Sequence, residues 1–138
     1  MKNTFELLKK LVALRTTEDN PQEIKKGFEY IASLFDVGKF DTKILEQNQK
    51  YSLLISFKGK DALKPKILLN GHFDVVPAED ENDYVIRVEG NRVYGRGTAD
   101  MKGMVAVFIQ VMQEFGQQAN PPDVTLLLNG DEEVGGEN

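Results

Sequence analysis

Cysteine and tryptophan are absent from this sequence, and histidine occurs once, at His72. Without cysteine there is no disulfide framework, no thiolate metal ligand and no cysteine nucleophile, and such a chain suits a reducing cytosol. Positive charge is scarce as well. Lys and Arg number 17 against 22 Asp and Glu, a formal net charge of -5, so no basic field exists to gather nucleic acid or anionic lipid. No apolar run is long enough to span a bilayer. The first residues, MKNTFELLKKLVAL, are interrupted by Glu6, Lys9 and Lys10, unlike the unbroken apolar region of a signal peptide. What is present is ordinary: 138 residues, 41% hydrophobic and 28% charged, enough for one domain with a real core and too few for two. There is no internal repeat and no low-complexity tract.

Phe5, Leu8, Leu11, Val12 and Leu14 recur near helical spacing behind Thr4 as a cap, which predicts a first helix over residues 4–15. Asn20-Pro21-Gln22-Glu23 announces a second helix: a capping Asn, a proline at the first helical position and a glutamate three residues on. Ile24, Phe28, Ile31 and Phe35 form its apolar stripe, and Gly38 is expected to end it. The period then changes. Residues 42–45 and 51–57 read as strands around the polar connection Gln47-Asn48-Gln49-Lys50. The apolar runs Ile67-Leu68-Leu69 and Val124 to Leu128 suit strands buried on both faces. Between them come a hairpin, residues 85–88 and 92–94 around Gly90-Asn91, and an apolar helix over residues 101–115. Helices alternating with strands imply an α/β sandwich with a mixed or largely parallel central sheet. The acidic stretch Glu79 to Asp83 lacks the spaced ligands and central glycine of a calcium loop and reads as a solvated surface loop.

Three polar clusters stand out against this frame. Gly71-His72-Phe73-Asp74-Val75-Val76-Pro77 follows the first apolar strand. In extended chain His72 and Asp74 project to the same face, so one can bind a metal while the other steadies it. Taken alone, His72 reads better as a structural histidine near a turn. Tyr94 to Gly103 holds a Gly-x-Gly turn before the apolar helix, but Asp100 occupies the place of a third glycine and would repel a pyrophosphate. Asp100 can be a simple helix cap or a carboxylate that bridges two metal ions. Asp131-Glu132-Glu133 follows the last strand, with apolar residues before it and Gly135-Gly136 after. An acidic triplet in a polar loop is usually a surface charge run; these flanks imply close packing instead.

The coincidence of position decides between these readings. Ligands of open α/β sheets bind beyond the carboxyl ends of the strands, where the first and third clusters both lie, with the second at a helix start on the same side. One imidazole with several carboxylates and no sulfur is a donor set compatible with zinc.

The segments Leu69 to Pro77, Gly95 to Gly103 and Asp131 to Gly136 resemble the three signatures of the co-catalytic zinc metallopeptidases that include acetylornithine deacetylase, succinyl-diaminopimelate desuccinylase, aminoacylase and carboxypeptidase G. The resemblance implies the N-terminal part of a catalytic domain. Its fold would be a truncated three-layer α/β/α sandwich with a mixed, largely parallel sheet, like the zinc aminopeptidases. It implies two zinc ions in the complete protein, with cobalt or manganese as substitutes, and partial or no occupancy in the isolated chain. His72 would bind one, Asp100 would bridge both, Glu133 would bind the second, Asp74 would orient His72, and Glu132 would be the general base. The peptide bond after Asp100 is often cis in that family. The substrate implied is an N-acyl amino acid or small peptide cleaved at its amide bond, in a parent protein that often dimerises through a lid domain.

Two departures accompany the resemblance. The family uses a second histidine and a further acid from later in its chain, and both would lie beyond Asn138, as would the lid. The stop at Glu137-Asn138 therefore reads as arbitrary, and the isolated chain is expected to be inactive and, with an open sheet edge, to self-associate. Residues 80–88 lack the tryptophan and Pro-Phe pair common in the family, which bears on substrate preference. The competing expectation is a binding module without catalysis that keeps the fold and at most a partial metal site.

Overall fold

The computed structural model describes residues 2–136; the stop at Glu137-Asn138 lies outside the described residues. Two helices, α1 (Lys2–Ala13) and α2 (Pro21–Ser33), precede a hairpin of β1 (Phe40–Gln47) and β2 (Lys50–Phe57). Then come β3 (Ile67–His72), the small hairpin β4 (Arg87–Glu89) and β5 (Arg92–Tyr94), α3 (Lys102–Phe115) and β6 (Val124–Asn129). Short 3-10 turns occupy Glu81–Tyr84 and Glu132–Val134.

Local chemistry explains several boundaries. Asn20 is the residue before α2 and Pro21 its first, where the missing N–H of proline costs nothing. Asn48 and Gln49 take left-handed φ values of 52° and 63°, the two-residue turn whose twist matches antiparallel strands. Other boundaries differ from expectation. Thr4 is no cap, because α1 is already under way at Lys2. Gly38 does not end α2, which stops at Ser33; the chain bends early so that Phe35 can turn inward and set its ring 4.9 Å from that of Phe40. Gly38 instead donates its N–H to the Asp36 carboxylate at 2.8 Å in the turn that follows.

The main sheet is mixed, in the order β1-β2-β6-β3. Its parallel part is the pair β3–β6; β1–β2 and β2–β6 are antiparallel, so the expected parallel majority is not met. The short hairpin connection makes β1–β2 antiparallel, and β2–β6 adds a second antiparallel pair. Alternation sends Leu53, Ile55 and Phe57 of β2 and Val124, Leu126 and Leu128 of β6 to one face, where they join Phe28 and Ile31 of α2 and Val105 and Ile109 of α3 in a single core. All three helices thus cover the same face. A third layer is not part of the described residues, because their three long helices are used up on one side.

β6 is buried as expected, whereas β3 is not: Ile67 and Leu68 are each 52% exposed. β3 is an edge strand with β6 as its one neighbour in the sheet, and an apolar run cannot by itself tell which faces find cover. Among the described residues no helix is long and apolar enough to cross a membrane.

Candidate metal centre

The parallel pairing of β3 and β6 places the first and third clusters side by side. His72 is opposite Asn129 in the register, and the Phe73 N–H continues the ladder to the Asn129 carbonyl at 2.7 Å. Both strands therefore release their chains at the same level, one into Phe73-Asp74 and the other into Asp131-Glu132-Glu133.

The segment after His72 is pinned from a second direction. Thr16, fully buried, donates its hydroxyl to the Phe73 carbonyl at 2.7 Å, and its own carbonyl accepts the Val75 N–H at 2.9 Å. The third segment arrives through Met101, whose Sδ accepts the His72 N–H at 3.2 Å. A Cβ on Gly71 would sit 2.9 Å from Met101 Cε, so glycine there lets the thioether lie against β3. The Asp100-Met101 peptide bond is cis, the geometry the resemblance implies.

His72 is buried, with its Nδ1 3.1 Å from the Asp74 carbonyl oxygen. A carbonyl only accepts, so Nδ1 carries a proton and donates it. In the neutral ring this leaves the lone pair on Nε2, the arrangement in which the second ring nitrogen orients a metal ligand. Nε2 lies 2.9 Å from Asp100 Oδ1 and 3.9 Å from Glu132 Oε2. Burial pulls the imidazole pKa down, but the hydrogen bond to Asp100, the Asp74 carbonyl and the charges of both acids outweigh it, and the pKa stands above 6.5. Ligand atoms of His72, Glu132 and Glu133 fall within 4.8 Å of one another.

Asp74 holds the cluster together. It is 2% exposed; its Oδ2 accepts the Glu133 N–H at 2.9 Å, while its Oδ1 lies 3.5 Å from His72 Nδ1 and is buried without a hydrogen-bond partner. A buried carboxylate oxygen is rarely left unsatisfied, and this one is a short ring rotation from the Nδ1 proton. The geometry brings all five sequence candidates, His72, Asp74, Asp100, Glu132 and Glu133, to one place. An imidazole Nε2 facing carboxylates, with a buried acid behind the ring, fits a divalent metal with nitrogen and oxygen ligands. Thr16 and Met101 also hold the segments of the cluster and were not singled out as site residues from sequence.

An α/β protein with a nitrogen-and-carboxylate centre at the ends of adjacent parallel strands is the class that fold and site define. Within that class the chain belongs to peptidase family M20/M25/M40, whose profile matches residues 68–138, half of the sequence. Over 76 residues it is 43% identical to the succinyl-diaminopimelate desuccinylase of Rhodospirillum centenum, a match covering 50% of this chain and 20% of that protein. A probable succinyl-diaminopimelate desuccinylase of Staphylococcus aureus is 28% identical over 132 residues, 92% of this chain and 32% of its own length. Human carnosine dipeptidase 1 shares the fold with a TM-score of 0.79 at 24% identity, over 99% of this chain and 33% of that one. The chain spans about a third or less of the length of these relatives.

Proposed function

We propose that the parent protein is a zinc-dependent hydrolase cleaving the amide bond of N-acyl amino acids or small peptides, and that these 138 residues are the N-terminal part of its catalytic domain. The observation that carries this reading is His72 Nδ1 at 3.1 Å from the Asp74 carbonyl oxygen, which leaves Nε2 for a metal beside Glu132 and Glu133. His72, Asp100 and Glu133 would hold two zinc ions, Asp100 between them, and cobalt or manganese can serve the same donors. Bound there, zinc acidifies water and polarises a carbonyl.

The protein's own groups do the rest. Asp74 keeps the imidazole in the tautomer that exposes Nε2. Glu132, 60% exposed at the mouth of the cluster, takes a proton from water and returns it to the leaving amine. The names of the sequence relatives, succinyl-diaminopimelate desuccinylases, favour a desuccinylase over an endopeptidase. A single imidazole is too few for two complete metal shells, so turnover belongs to the longer parent. The cysteine-free composition fits the cytosol, and the apolar β3 edge favours self-association of the isolated chain.

The test is a zinc-loaded assay of the full-length parent on N-succinyl and N-acetyl amino acids, following release of the free amine. Glu132→Gln is expected to lower kcat by about 10²–10⁴-fold with KM little changed. Wild-type kcat in that variant, or activity indifferent to chelation, would overturn the proposal.

A further inference from the structure

Lys102 is a cation at the first position of α3 and is 0% exposed. Both facts count against it: a helix N-terminus repels positive charge, and lysine is almost never fully buried without a partner. A methionine would fill the same volume without either cost. The ammonium group is what lysine adds, and it has a definite position. Nζ donates to the Leu14 carbonyl at 2.6 Å and lies 5.2 Å from the centroid of the Phe73 ring. The Leu14 carbonyl also accepts the Thr16 N–H at 3.0 Å, and Thr16 grips Phe73 and Val75 as described above. At the other end, the Lys102 N–H donates to the Gly97 carbonyl at 2.8 Å. A Cβ on Gly97 would sit 3.1 Å from Lys102 Cδ and 2.8 Å from Val75 Cγ1.

These contacts form one continuous path. It runs from the segment that carries Asp100, through Lys102, to the chain that follows α1, and from there to the backbone flanking Asp74. We propose that Lys102 is a positioning residue: its Nζ–Leu14 hydrogen bond fixes the spacing between His72 on one segment and Asp100 on the other. The inference rests on the reading of these residues as metal ligands. Lys102 itself touches neither metal nor substrate.

The test compares Lys102→Met with Phe35→Leu, a core change just beyond the C-terminal end of α2, in the 138-residue chain. Zinc affinity is measured by calorimetry, stability by urea denaturation, and the single histidine ring by ¹⁵N NMR without metal. Lys102→Met is expected to weaken zinc binding about tenfold or more, the usual effect of losing an outer support of a metal ligand, and to move the His72 ring signals. Phe35→Leu, whatever its stability loss, is expected to leave both within error of wild type. Zinc affinity of Lys102→Met within twofold of the Phe35→Leu value would overturn the inference. If Lys102→Met does not fold, Lys102→Leu, likewise without a donor, is judged by the same ratio. If wild type binds no zinc, the metal reading fails, and the positioning role is then decided by the His72 signals alone: displaced in the Lys102 variant it stands, unmoved it falls.

Discussion

Replacing Gly27 with alanine sets two effects of opposite sign against each other in the middle of α2. Helix propensity favours the change by about 1 kcal/mol, since glycine in a helix interior carries that much backbone entropy. Packing opposes it. A Cβ at this position would lie 2.2 Å from Phe73 Cε1 and 2.8 Å from Cζ, where carbon pairs settle at about 3.5–4.0 Å. The ring cannot simply swing away, because Phe73 is fully buried and is hemmed in by Phe28, 5.5 Å between centroids, and by Lys102 Nζ, 5.2 Å from its centroid. Either α2 or the Phe73 segment must move by roughly 1 Å, and overpacking of this kind costs about 1–3 kcal/mol, sometimes more. A 2.2 Å approach belongs at the upper end of that range, about 2–3 kcal/mol, so the net expectation is a loss of about 1–2 kcal/mol, read in urea as a lower midpoint at unchanged slope. Adding Phe73→Leu to Gly27→Ala should recover part of the loss, a non-additive coupling between touching residues. A Gly27→Ala variant as stable as wild type, or more so, would refute this reasoning and with it the tight seat of the residue between His72 and Asp74.

Asp74→Ala removes the acceptor of the half-buried Glu133 N–H and should cost about 1–3 kcal/mol in urea, whereas Asp74→Asn, which still offers an oxygen, should retain most of that stability. The raised His72 pKa means that its contacts with Asp100 and Asp74 stabilise fully below the unfolded value of about 6.5 and are lost as pH rises through the folded value. Urea midpoints should therefore carry a falling component above about pH 6.5 that is absent in His72→Gln. Lys102 works in the opposite sense: burial first, only partly offset by the charges of Asp74 and Glu23, lowers its pKa from 10.5 to about 7. The unfolded chain then holds the extra proton between those values, so stability rises with pH across that window, by an amount on the order of a few kcal/mol; Lys102→Met should flatten the rise.

Local signals carried the parts of the fold that local chemistry decides. Asn20-Pro21 starts α2 and Asn48-Gln49 turns the first hairpin because those residues act on their own backbone. The candidate cluster was legible for a related reason: His72, Asp100 and Glu133 each sit at the end of a strand or start of a helix, so finding the elements places the residues. Long-range contacts were not legible. The early end of α2 depends on Phe35 finding Phe40, and the exposure of β3 depends on which strand lies beside it. The burial of Lys102 depends on a carbonyl 88 residues earlier in the chain, and Thr16 reaches its partner over 57 residues. Neither Thr16 nor Lys102 differs in sequence from a solvated residue, because what makes each a support of the cluster is supplied by another segment.

Zinc K-edge X-ray absorption of the zinc-loaded chain tests the central claim most directly, because one histidine makes the imidazole signature unambiguous. The account predicts a shell with one imidazole nitrogen and the remaining donors oxygen, at about 2.0–2.2 Å, and loss of the imidazole component in His72→Ala. A shell of oxygen alone in wild type, or a spectrum unchanged by His72→Ala, would contradict it.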